Sequence, residues 1–401
     1  MNSFFNMINS ISFVNYRIFA NRQTLTLAPM TVLFGKNNTG KSAVLKLPLL
    51  VESALKCKTQ EVFSRICNEV TLCDEFRDIV YNKGNRALTI DVTSTEGDEL
   101  SFSFFVDMLD KQKKTHLESW SLKDTNGNNV SYQCNDDHKM TDEKGNEIVF
   151  MGITPKNISE NWMVEALAHF QTANDYIGHV RQLPLRDYRL NDGVYTLMGT
   201  KGENAYEFLI SDVVSGNGNL LTKVSNWYKK VFDGWAVVVD QSRAPSYSVE
   251  LQNKNVRNNI LDTGAGIGQS LPEIVAIAKA CEKPWQYILE EPETHLHPAA
   301  HAEMAEFMAN EVSLDKNKQI LVETHSLNFI LRLRTLVATN KLHPKDLALY
   351  YVKYDEDTGA SSLKKVEVRE DGSVSDWPDD VFNESYKEAV LLHNAQKNRQ
   401  V

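Results

Sequence analysis

The segment FGKNNTGKSA, from Phe34 to Ala43, spaces two glycines, a lysine and a serine as Gly-x-x-x-x-Gly-Lys-Ser. It follows the apolar run MTVLF and precedes a stretch with helical apolar spacing, which predicts a loop between a strand and a helix. In such a loop, backbone N–H groups face phosphate oxygens, Lys41 adds a cation and Ser42 offers a hydroxyl to Mg²⁺. A glycine-rich surface turn is the alternative, and the flanking elements favour phosphate binding. The residues predicted to bind the phosphate ligand are Gly35, Lys36, Asn37, Asn38, Thr39, Gly40, Lys41, Ser42 and Ala43.

The segment YILEEPE places two carboxylates directly after an apolar run. A phosphate loop supports hydrolysis only if an acid serves the metal ion and a second group orients the attacking water. We assign Glu290 to Mg²⁺, together with Ser42, and Glu291 to the water. Glu293 fits a solvated acidic turn better than either role.

The segment VETHS ends a further predicted strand and carries His325. A histidine at this position could contact the terminal phosphate of a bound nucleotide. A histidine at a strand end is more often structural, and the spacing alone leaves both readings open.

The chain has 401 residues, a formal net charge of −10, 42% hydrophobic and 24% charged residues, which is typical of a globular protein. An acidic chain has no overall footprint for nucleic acid, so contact with DNA would need a local basic patch. The five cysteines form no CxxC pair, the first residues lack the basic segment of a signal peptide, and no apolar run reaches the roughly 20 residues of a membrane span. These features predict a cytoplasmic location.

Strand and helix signals alternate towards the C-terminus, which predicts a parallel sheet covered by helices. Between residues 87 and 151, apolar and polar residues alternate between turn signals, as in antiparallel β-structure. Pro48 is expected to bend or end the helix after the phosphate loop. Helices are expected around Glu203–Ser211 and Leu220–Val231, and the acidic segment YDEDTG is expected to form a hairpin turn.

Lys41 and Glu290 lie 249 residues apart, a separation typical of an ATPase head divided by a large insertion. Together the motifs resemble ABC/SMC-like ATPases of the OLD and RecF type. The segments that carry this resemblance are NYRIF with LAPMTVLFGKNNTGKS, YIGHVRQLPLR, DTGAGIGQSLPEI, YILEEPETHLHP and ILVETHS. They cover both ends of the chain and a little of its middle. The C-terminal EDGSVSDWPDDVFNES also resembles the ending of a branch often found in bacterial defence loci.

The resemblance implies an α/β fold class, an ABC/SMC-like P-loop ATPase head with a mixed sheet flanked by helices. An antiparallel β-region and a helical lobe would be inserted into this head. The implied divisions are residues 1–56 for the N-terminal part of the head, 57–260 for the insertion, β-rich at about 87–151, and 261–401 for the C-terminal part.

The resemblance also implies ATP and Mg²⁺ as cofactors, and it makes His325 the switch histidine. Gly266, Gly268 and Gln269 would stand where the ABC signature loop binds the ATP of a partner subunit. The serine usual in that loop appears here as Gly266, so backbone N–H groups and a helix starting near Gln269 would replace it. The glutamine of the Q-loop has no assigned position.

The function implied is an ATP-driven dimeric switch in which two heads enclose two ATP molecules. Its partners would be a second copy of the chain and a separate effector, which would be a nuclease or toxin of a bacterial anti-phage system. No membrane partner is expected. The alternative is a RecF-like ATPase of DNA repair or recombination, with DNA as partner. A scaffold with a vestigial site is a third reading. OLD proteins carry a Toprim nuclease, and since 76 residues follow His325, we expect none in this chain.

Two further groups of residues invite functional readings. The histidines of the HLHP segment and its surroundings could bind a metal ion, but we expect them to belong to the loop after the catalytic acids, at the dimer interface. Three arginines between residues 181 and 189 could contact nucleic acid or phosphate, and packing and ion pairs are the alternative. The residues concerned are His295, His297, His301, Arg181, Arg186 and Arg189.

Overall fold

The structure of the protein is a computed structural model that describes residues 7–107, 114–156, 158, 160–190, 195–379 and 381–398, without the side chains of residues 385 and 398. These residues form twenty strands and ten α-helices. The strands are β1 Ile8–Val14, β2 Gln23–Thr26, β3 Met30–Phe34, β4 Ile66–Cys67, β5 Val70–Thr71, β6 Leu88–Ser94, β7 Glu99–Val106, β8 Thr115–Lys123, β9 Asn129–Cys134, β10 Met140–Thr141, β11 Phe150–Met151, β12 Thr154–Pro155, β13 Ala173–Ile177, β14 Ala236–Asp240, β15 Ser248–Asn253, β16 Val256–Asn259, β17 Trp285–Glu290, β18 Lys318–Thr324, β19 Leu347–Asp355 and β20 Ala360–Val366.

The helices are α1 Lys41–Leu45, α2 Leu47–Lys56, α3 Asn161–Ala168, α4 Ala205–Val214, α5 Asn219–Val231, α6 Ala265–Gln269, α7 Leu271–Ala278, α8 Pro298–Leu314, α9 Leu327–Ala338 and α10 Glu384–Asn398. Short 3-10 turns lie at Phe76–Ile79, Tyr81–Lys83, Ile260–Asp262 and Pro344–Asp346. None of the helices in the described residues is long and apolar enough to cross a membrane.

The six-stranded sheet carries the predicted site. Its order is β13-β17-β18-β3-β19-β20, with β20 antiparallel to β19 and the other neighbours parallel. Parallel strands align their carboxyl ends at one edge, where ligands bind in open α/β sheets. The phosphate loop follows β3, and the segments with Glu290 and His325 follow β17 and β18. The register pairs Glu290 with Glu323 across β17 and β18, and Glu323 with Leu33 across β18 and β3.

A second sheet contains seven antiparallel strands in the order β10-β9-β8-β7-β6-β1-β2. The N-terminal strands β1 and β2 are hydrogen-bonded into the same sheet as the β-rich segment, since β1 pairs with β6 over Ile8–Val14. Residues on both sides of the predicted 56/57 boundary therefore share one sheet. The three-part division itself stays a proposal.

Two hydrophobic clusters fill opposite faces of the six-stranded sheet. Leu33 of β3 belongs to the cluster shared with the seven-stranded sheet and α2, whereas Val32 and Phe34 belong to the cluster beneath α4, α5, α7, α8 and α9. This alternation follows from the two-residue period of a strand. All five residues of β3 are buried, which is expected for a strand covered on both faces. The predicted fold class, a P-loop ATPase head with a mixed sheet flanked by helices, is confirmed.

Several local predictions are also confirmed. Lys46 separates α1 from α2, and Pro48 lies in the first turn of α2, where a missing N–H costs no helical hydrogen bond. Helices α4 and α5 occupy the two positions expected for them, and residues 356–359 form the turn between β19 and β20. One element, the strand β13, was not predicted from the sequence.

Candidate functional site

The phosphate loop turns sharply after β3 and enters α1 at Lys41. Gly40 has φ +96°, and a Cβ there would meet the Ile18 side chain at 2.8 Å and the Phe19 ring at 2.9 Å. A Cβ on Gly35 would lie 2.4 Å from the carbonyl oxygen of Val352. Both glycines are therefore required by positive φ or by close packing, as the motif implies.

Lys41 lies folded back under this loop and is 3% exposed. Its Nζ donates a hydrogen bond to the carbonyl oxygen of Lys36 at 2.8 Å and lies 3.5 Å from Glu323 Oε1. Burial lowers the pKa of Lys41, and the neighbouring carboxylate of Glu323 opposes this effect. The cation is thus fixed at the mouth of the loop, where a bound phosphate could replace the carboxylate as its partner.

Glu323 is a site residue that the sequence analysis missed, although it quoted the VETHS segment. Its Oε2 accepts a hydrogen bond from Ser42 Oγ at 2.7 Å, and the residue is 4% exposed. Burial raises the pKa of Glu323, while the Ser42 hydrogen bond and the Lys41 cation oppose the increase. The sequence signal that could have identified Glu323 as a site residue is its position at the end of a predicted strand, next to Thr324.

Glu290 ends β17 beside Glu323 and is 5% exposed. Its Oε2 lies 3.0 Å from His179 Nδ1, whereas its Oε1 is buried without a hydrogen-bond partner and lies 4.0 Å from Lys46 Nζ. Burial raises the pKa of the adjacent Tyr176, and the negative charge of Glu290 raises that pKa further. A buried carboxylate oxygen without a hydrogen-bond partner is unusual and fits a position that accepts a cation.

Glu291 follows in a left-handed conformation, with φ +44°, which is uncommon for a non-glycine residue. Its N–H donates to the carbonyl oxygen of Glu323 at 2.8 Å, and its carboxylate accepts a hydrogen bond from Thr294 Oγ1 at 3.3 Å. The side chain is 37% exposed, and its Oε1 lies 3.5 Å from His325 Nε2. The turn therefore directs this carboxylate out of the sheet edge, towards the space beside His325.

Glu293 holds the His325 segment in place. Its Oε1 accepts hydrogen bonds from Thr324 Oγ1 at 2.6 Å and from the His325 N–H at 2.8 Å. The prediction of a solvated turn at Glu293 is wrong, since the residue is 5% exposed. Its backbone lies in a turn, but the carboxylate points inward to satisfy two donors at the end of β18. Burial lowers the pKa of His325, with a further decrease from Lys41 and an opposing effect of Glu291.

The arrangement fits a magnesium nucleotide. Ser42 donates its proton to Glu323, so its lone pairs remain free for a cation. Ligand atoms of Glu291, Glu323 and His325 lie within 4.8 Å of one another, and Glu290 adds an unpartnered oxygen nearby on the next strand. Oxygen-rich sites of this type suit Mg²⁺, which is normally held by one or two carboxylates together with phosphates. Ser42 and Glu290 as metal ligands stay predictions, to which Glu323 is added.

The Gly266–Gln269 segment forms α6, which starts at Ala265, earlier than the helix expected near Gln269. Carbonyl oxygens of Ile267 and Gly268 accept hydrogen bonds from Tyr228 Oη at 2.7 Å and Tyr206 Oη at 3.0 Å. These bonds fix α6 to the helical lobe. Gln269 is half-buried, and Ala265 is exposed at the beginning of the segment.

A side chain has no room at Gly266 and would fit only tightly at Gly268. A Cβ on Gly266 would lie 2.2 Å from the carbonyl oxygen of His295, and one on Gly268 would lie 3.0 Å from Pro184 Cγ. Both contacts are made within the chain. A serine at position 266 is therefore excluded in this conformation, which accounts for the glycine there.

Two of the three histidines of the HLHP segment and its surroundings, His297 and His301, have structural contacts, and His295 is exposed. His297 caps α8 by accepting a hydrogen bond from the Ala299 N–H at 3.3 Å, and His301 lies 2.8 Å from Ser326 Oγ and 3.0 Å from the carbonyl oxygen of Leu296. Among the described residues, the single group with metal-ligand spacing is the Glu291 group, which contains none of these histidines.

The three arginines have different surroundings. Arg181 is buried against Glu273, Arg186 makes an exposed ion pair with Asp262 at 2.6 Å, and Arg189 is exposed. Arg181 and Arg186 thus form ion pairs within the chain, which was the alternative to contact with nucleic acid or phosphate.

The acids between β19 and β20 shape the turn. Asp355 Oδ1 accepts hydrogen bonds from the Asp357 N–H at 2.9 Å and the Thr358 N–H at 3.4 Å. Such side-chain-to-backbone bonds are typical of Asx turns.

Comparisons with known proteins place this geometry in a family. A family model described as AAA ATPase domain matches residues 7–330, and one described as Protein of unknown function (DUF3696) matches residues 342–392. No protein of curated function gives a match.

Solved structures similar to this chain include three SMC heads. The crystal structure of the SmcHead bound to the C-winged helix domain of ScpA has 12% identity and a TM-score of 0.48, with 90% of this chain and 98% of that chain covered. The SMC head domain from Thermotoga maritima has 11% identity and a TM-score of 0.42, with 90% and 100% covered. The Smc head domain with an extended coiled coil, bound to the C-terminal domain of ScpA derived from Pyrococcus furiosus, has 11% identity and a TM-score of 0.46, with 90% and 96% covered. The phosphate loop, the carboxylates and the histidine meet at one edge of the sheet, and the first family model matches residues 7–330 of the 401 residues of this chain. The chain therefore belongs to the AAA ATPase domain family.

Proposed function

We propose that the protein is a dimeric switch that hydrolyses ATP with Mg²⁺, is of the OLD/RecF type and controls a separate effector in bacterial anti-phage defence. The observation that carries the enzymatic part is the convergence of Lys41, Ser42, Glu290, Glu291 and His325 at the carboxyl edge of three adjacent parallel strands. These residues come from three segments spread over the chain, and a purely structural role would not require that each segment place its reactive side chains near the same loop.

The first role of the site is to bind the triphosphate. The phosphate loop surrounds it with backbone N–H groups, and Lys41 exchanges its contact with Glu323 for the β- and γ-phosphates. This exchange needs little movement, because Lys41 Nζ remains bonded to the carbonyl oxygen of Lys36. The lysine is therefore positioned before the ligand arrives, which reduces the ordering cost of binding.

Ser42, Glu290 and Glu323 would hold the metal ion, directly or through water. A Mg²⁺ ion bound there would supply positive charge that offsets the negative charge of the phosphates. Glu323 keeps the Ser42 hydroxyl oriented by accepting its proton, so that the oxygen lone pairs face the ion. Three carboxylates beside one buried lysine leave the site with excess negative charge, which makes nucleotide binding dependent on the metal.

Glu291 orients and polarises the attacking water, and His325 contacts the γ-phosphate. The two side chains lie 3.5 Å apart and are each about one third exposed, at 37% and 34%. Their exposure leaves this side of the site open to solvent. In-line attack requires that water be excluded apart from the reacting molecule, so a second surface must cover Glu291 and His325.

A second copy of the chain supplies that surface through its α6 segment. Backbone N–H groups at the start of α6, around the exposed Ala265, are suited to meet a γ-phosphate. Gly266 and Gly268 pack against residues of their own chain. The part of α6 that would cover the partner's site is therefore the start of the helix. ATP would close the pair, and hydrolysis would open it.

The effector assignment is supported by the resemblance of the C-terminal EDGSVSDWPDDVFNES to the ending of a branch often found in bacterial defence loci. The net charge of −10 favours a protein partner over DNA, because DNA binding requires concentrated positive charge. The seven-stranded sheet and the loop of residues 178–190 are the proposed docking surfaces for that partner.

The central test combines a hydrolysis block with a closure block. Glu291→Gln should bind ATP, fail to hydrolyse it and accumulate a closed dimer, measured by native mass spectrometry and small-angle scattering with and without ATP. Adding Ala265→Asp should release the dimer, because a carboxylate at the start of α6 repels the partner-bound γ-phosphate in a poorly solvated interface. Ala265→Asn has almost the same shape without the charge and is the matched control.

A closed dimer that persists equally in Ala265→Asp and Ala265→Asn would contradict the role given to α6. If neither mass nor scattering responds to ATP in Glu291→Gln, the switch itself is wrong. The effector is tested by purifying the complex that the bacterial operon encodes, and recovery of DNA instead, with salt-sensitive binding, would support the RecF-like alternative.

A further inference from the structure

Arg181 forms a buried ion pair that the ATPase motifs do not explain. The residue is 8% exposed, and its Nε donates to Oε1 of Glu273, which is 1% exposed. Burial raises the pKa of Glu273, and the guanidinium opposes this effect. Taking both groups out of water is costly, and a buried pair is often no more stable than apolar residues of similar volume. The pair is therefore better explained by what it positions.

The rest of the guanidinium faces the turn formed by Glu290 and Glu291, which we call the catalytic turn. Its Nη2 donates to the carbonyl oxygen of Glu290 at 2.7 Å and lies 3.4 Å from the carbonyl oxygen of Glu291. On the other side, the Glu291 N–H is bonded to the carbonyl oxygen of Glu323. The strained turn at Glu291 is thus held from both sides, by β18 and by Arg181. A left-handed non-glycine residue persists only where surrounding contacts determine it.

Glu273 connects this arrangement to the segment that would meet a second copy. It lies in the first turn of α7, which follows α6 directly, with Ser270 between them. Gly268 of α6 packs against Pro184, which lies three residues after Arg181, and Gly266 packs against the carbonyl of His295, which lies four residues after Glu291. The α6–α7 segment, the loop of residues 178–190 and the catalytic turn therefore form one packed unit.

We propose that Arg181, held by Glu273, is a positioning residue that sets the direction of the Glu291 carboxylate and joins it to the α6–α7 segment. This inference rests on the proposed hydrolysis of ATP, in which Glu291 orients the water. Among the described residues, the Arg181 side chain donates hydrogen bonds to Glu273 and to the two backbone carbonyls, so its loss should affect the chemical step through Glu291 while the phosphate loop stays intact.

The test uses variants of the full-length protein. Arg181→Met keeps the volume of the side chain but removes both carbonyl contacts, and single-turnover hydrolysis should fall about 10- to 100-fold, as expected for a misplaced reacting group. The dissociation constant for ATP should stay within about 3-fold, because Lys41 and the loop are unchanged. Arg77→Met is the matched control, since Arg77 pairs with Glu75 at 2.6 Å outside the loop of residues 178–190, and its hydrolysis should equal that of wild type.

A charge-neutral variant separates positioning from folding. Arg181→Met alone leaves Glu273 buried without its counter-ion, which could unfold the chain. Arg181→Met combined with Glu273→Met removes both charges, and it should keep the melting temperature while hydrolysis remains low. A purely structural pair would regain full hydrolysis once the fold is restored, and that result would overturn the proposal.

Combination with Glu291→Gln gives a second readout that a structural role would not produce. If Arg181 acts through the Glu291 carboxylate, adding Arg181→Met and Glu273→Met to Glu291→Gln should lower hydrolysis no further. Additive losses would overturn the proposal. Wild-type hydrolysis in Glu291→Gln itself would instead refute the proposed function, so the two failures are distinguishable.

Discussion

Ser42 Oγ donates a hydrogen bond to Glu323 Oε2 at 2.7 Å, although the two residues lie 281 positions apart in the chain. The bond joins the first turn of α1 to the end of β18, and Lys41 extends it through its contact with the same carboxylate. Glu323 thus contacts both Lys41 and Ser42 of the phosphate loop. The relationship makes Glu323 the first residue to test beyond the motifs.

Glu323→Gln should make ATP binding less dependent on Mg²⁺. The amide oxygen can still accept the Ser42 proton, but one of three negative charges beside Lys41 is removed. Without metal, the variant should bind ATP at least as tightly as wild type does. The Mg²⁺ concentration that gives half of the full Mg²⁺ effect on ATP binding should be about 10-fold higher, as is typical when a supporting metal contact is lost. Calorimetric titrations with and without Mg²⁺ measure both effects, and an unchanged Mg²⁺ dependence would remove Glu323 from the metal site.

Lys41→Ala should weaken ATP binding severely, because it removes the cation that faces the β- and γ-phosphates. The control is Lys345→Ala, an exposed lysine just before β19, at the opposite edge of the sheet. Titration calorimetry gives both affinities, and melting temperatures should be recorded because the variant also leaves Glu323 buried without a counter-ion. ATP affinity like that of wild type in Lys41→Ala would refute the assignment of the loop.

Glu291→Gln should lower steady-state hydrolysis by at least the ~10²-fold typical of losing a general base, with ATP still bound. The exchange keeps size and hydrogen bonding and removes the charge that polarises water. Glu282→Gln, an exposed residue before β17 and remote from the carboxyl edge, should hydrolyse ATP like wild type. Phosphate release under saturating ATP is the measurement, and equal rates in the two variants would assign the water to another residue.

Asp175 should make the free energy of unfolding fall between acidic and neutral pH. Burial raises its pKa from 3.8 to about 7, against the opposing hydrogen bond from the Met198 N–H. The folded state then holds a proton that the unfolded state releases above pH 3.8. The stabilisation is fully present below that pH and is lost as the pH rises through about 7, with a slope of at most ~1.4 kcal/mol per pH unit.

The decrease in the free energy of unfolding that comes from Asp175 should be absent in Asp175→Asn, because asparagine does not titrate. Denaturant unfolding at pH 5 and pH 8 measures the difference, and Asp136→Asn, an exposed carboxyl on the antiparallel sheet, should keep the wild-type dependence. A pH dependence that is the same in all three proteins would show that Asp175 is ionised in the folded state throughout.

The purified chain should not cut plasmid DNA or tRNA in the presence of ATP with Mg²⁺ or Mn²⁺. Asp355 accepts hydrogen bonds from its own turn, which leaves it poorly placed to hold a catalytic ion. Cleavage that disappears on replacing Asp355 and Asp357 by Asn would reveal a metal site at this hairpin and change the predicted need for an external effector.

The phosphate loop and the acidic turn could be predicted because their information is local. Gly35, Gly40, Lys41 and Ser42 lie within eight residues, and the strand before them and the helix after them are visible as short apolar patterns. The parallel sheet followed from the alternation of strands and helices near the C-terminus. The missed strand β13 has the sequence ANDYI, whose Asn174 and Asp175 are polar yet 1% exposed, so it lacks the apolar run of a buried strand.

The sequence by itself determined which side chains can bind phosphate, hold a metal ion or orient water, since these properties depend on residue type and short spacing. Only the tertiary structure decided that Glu323 meets Ser42, that Glu293 points inward and that Arg181 faces the catalytic turn. Every residue of β18 is buried, so no alternation of apolar and polar residues indicated which face Glu323 occupies. Strand order and register set those contacts, and both arise from packing between segments that are hundreds of residues apart, where pairing depends on the whole core.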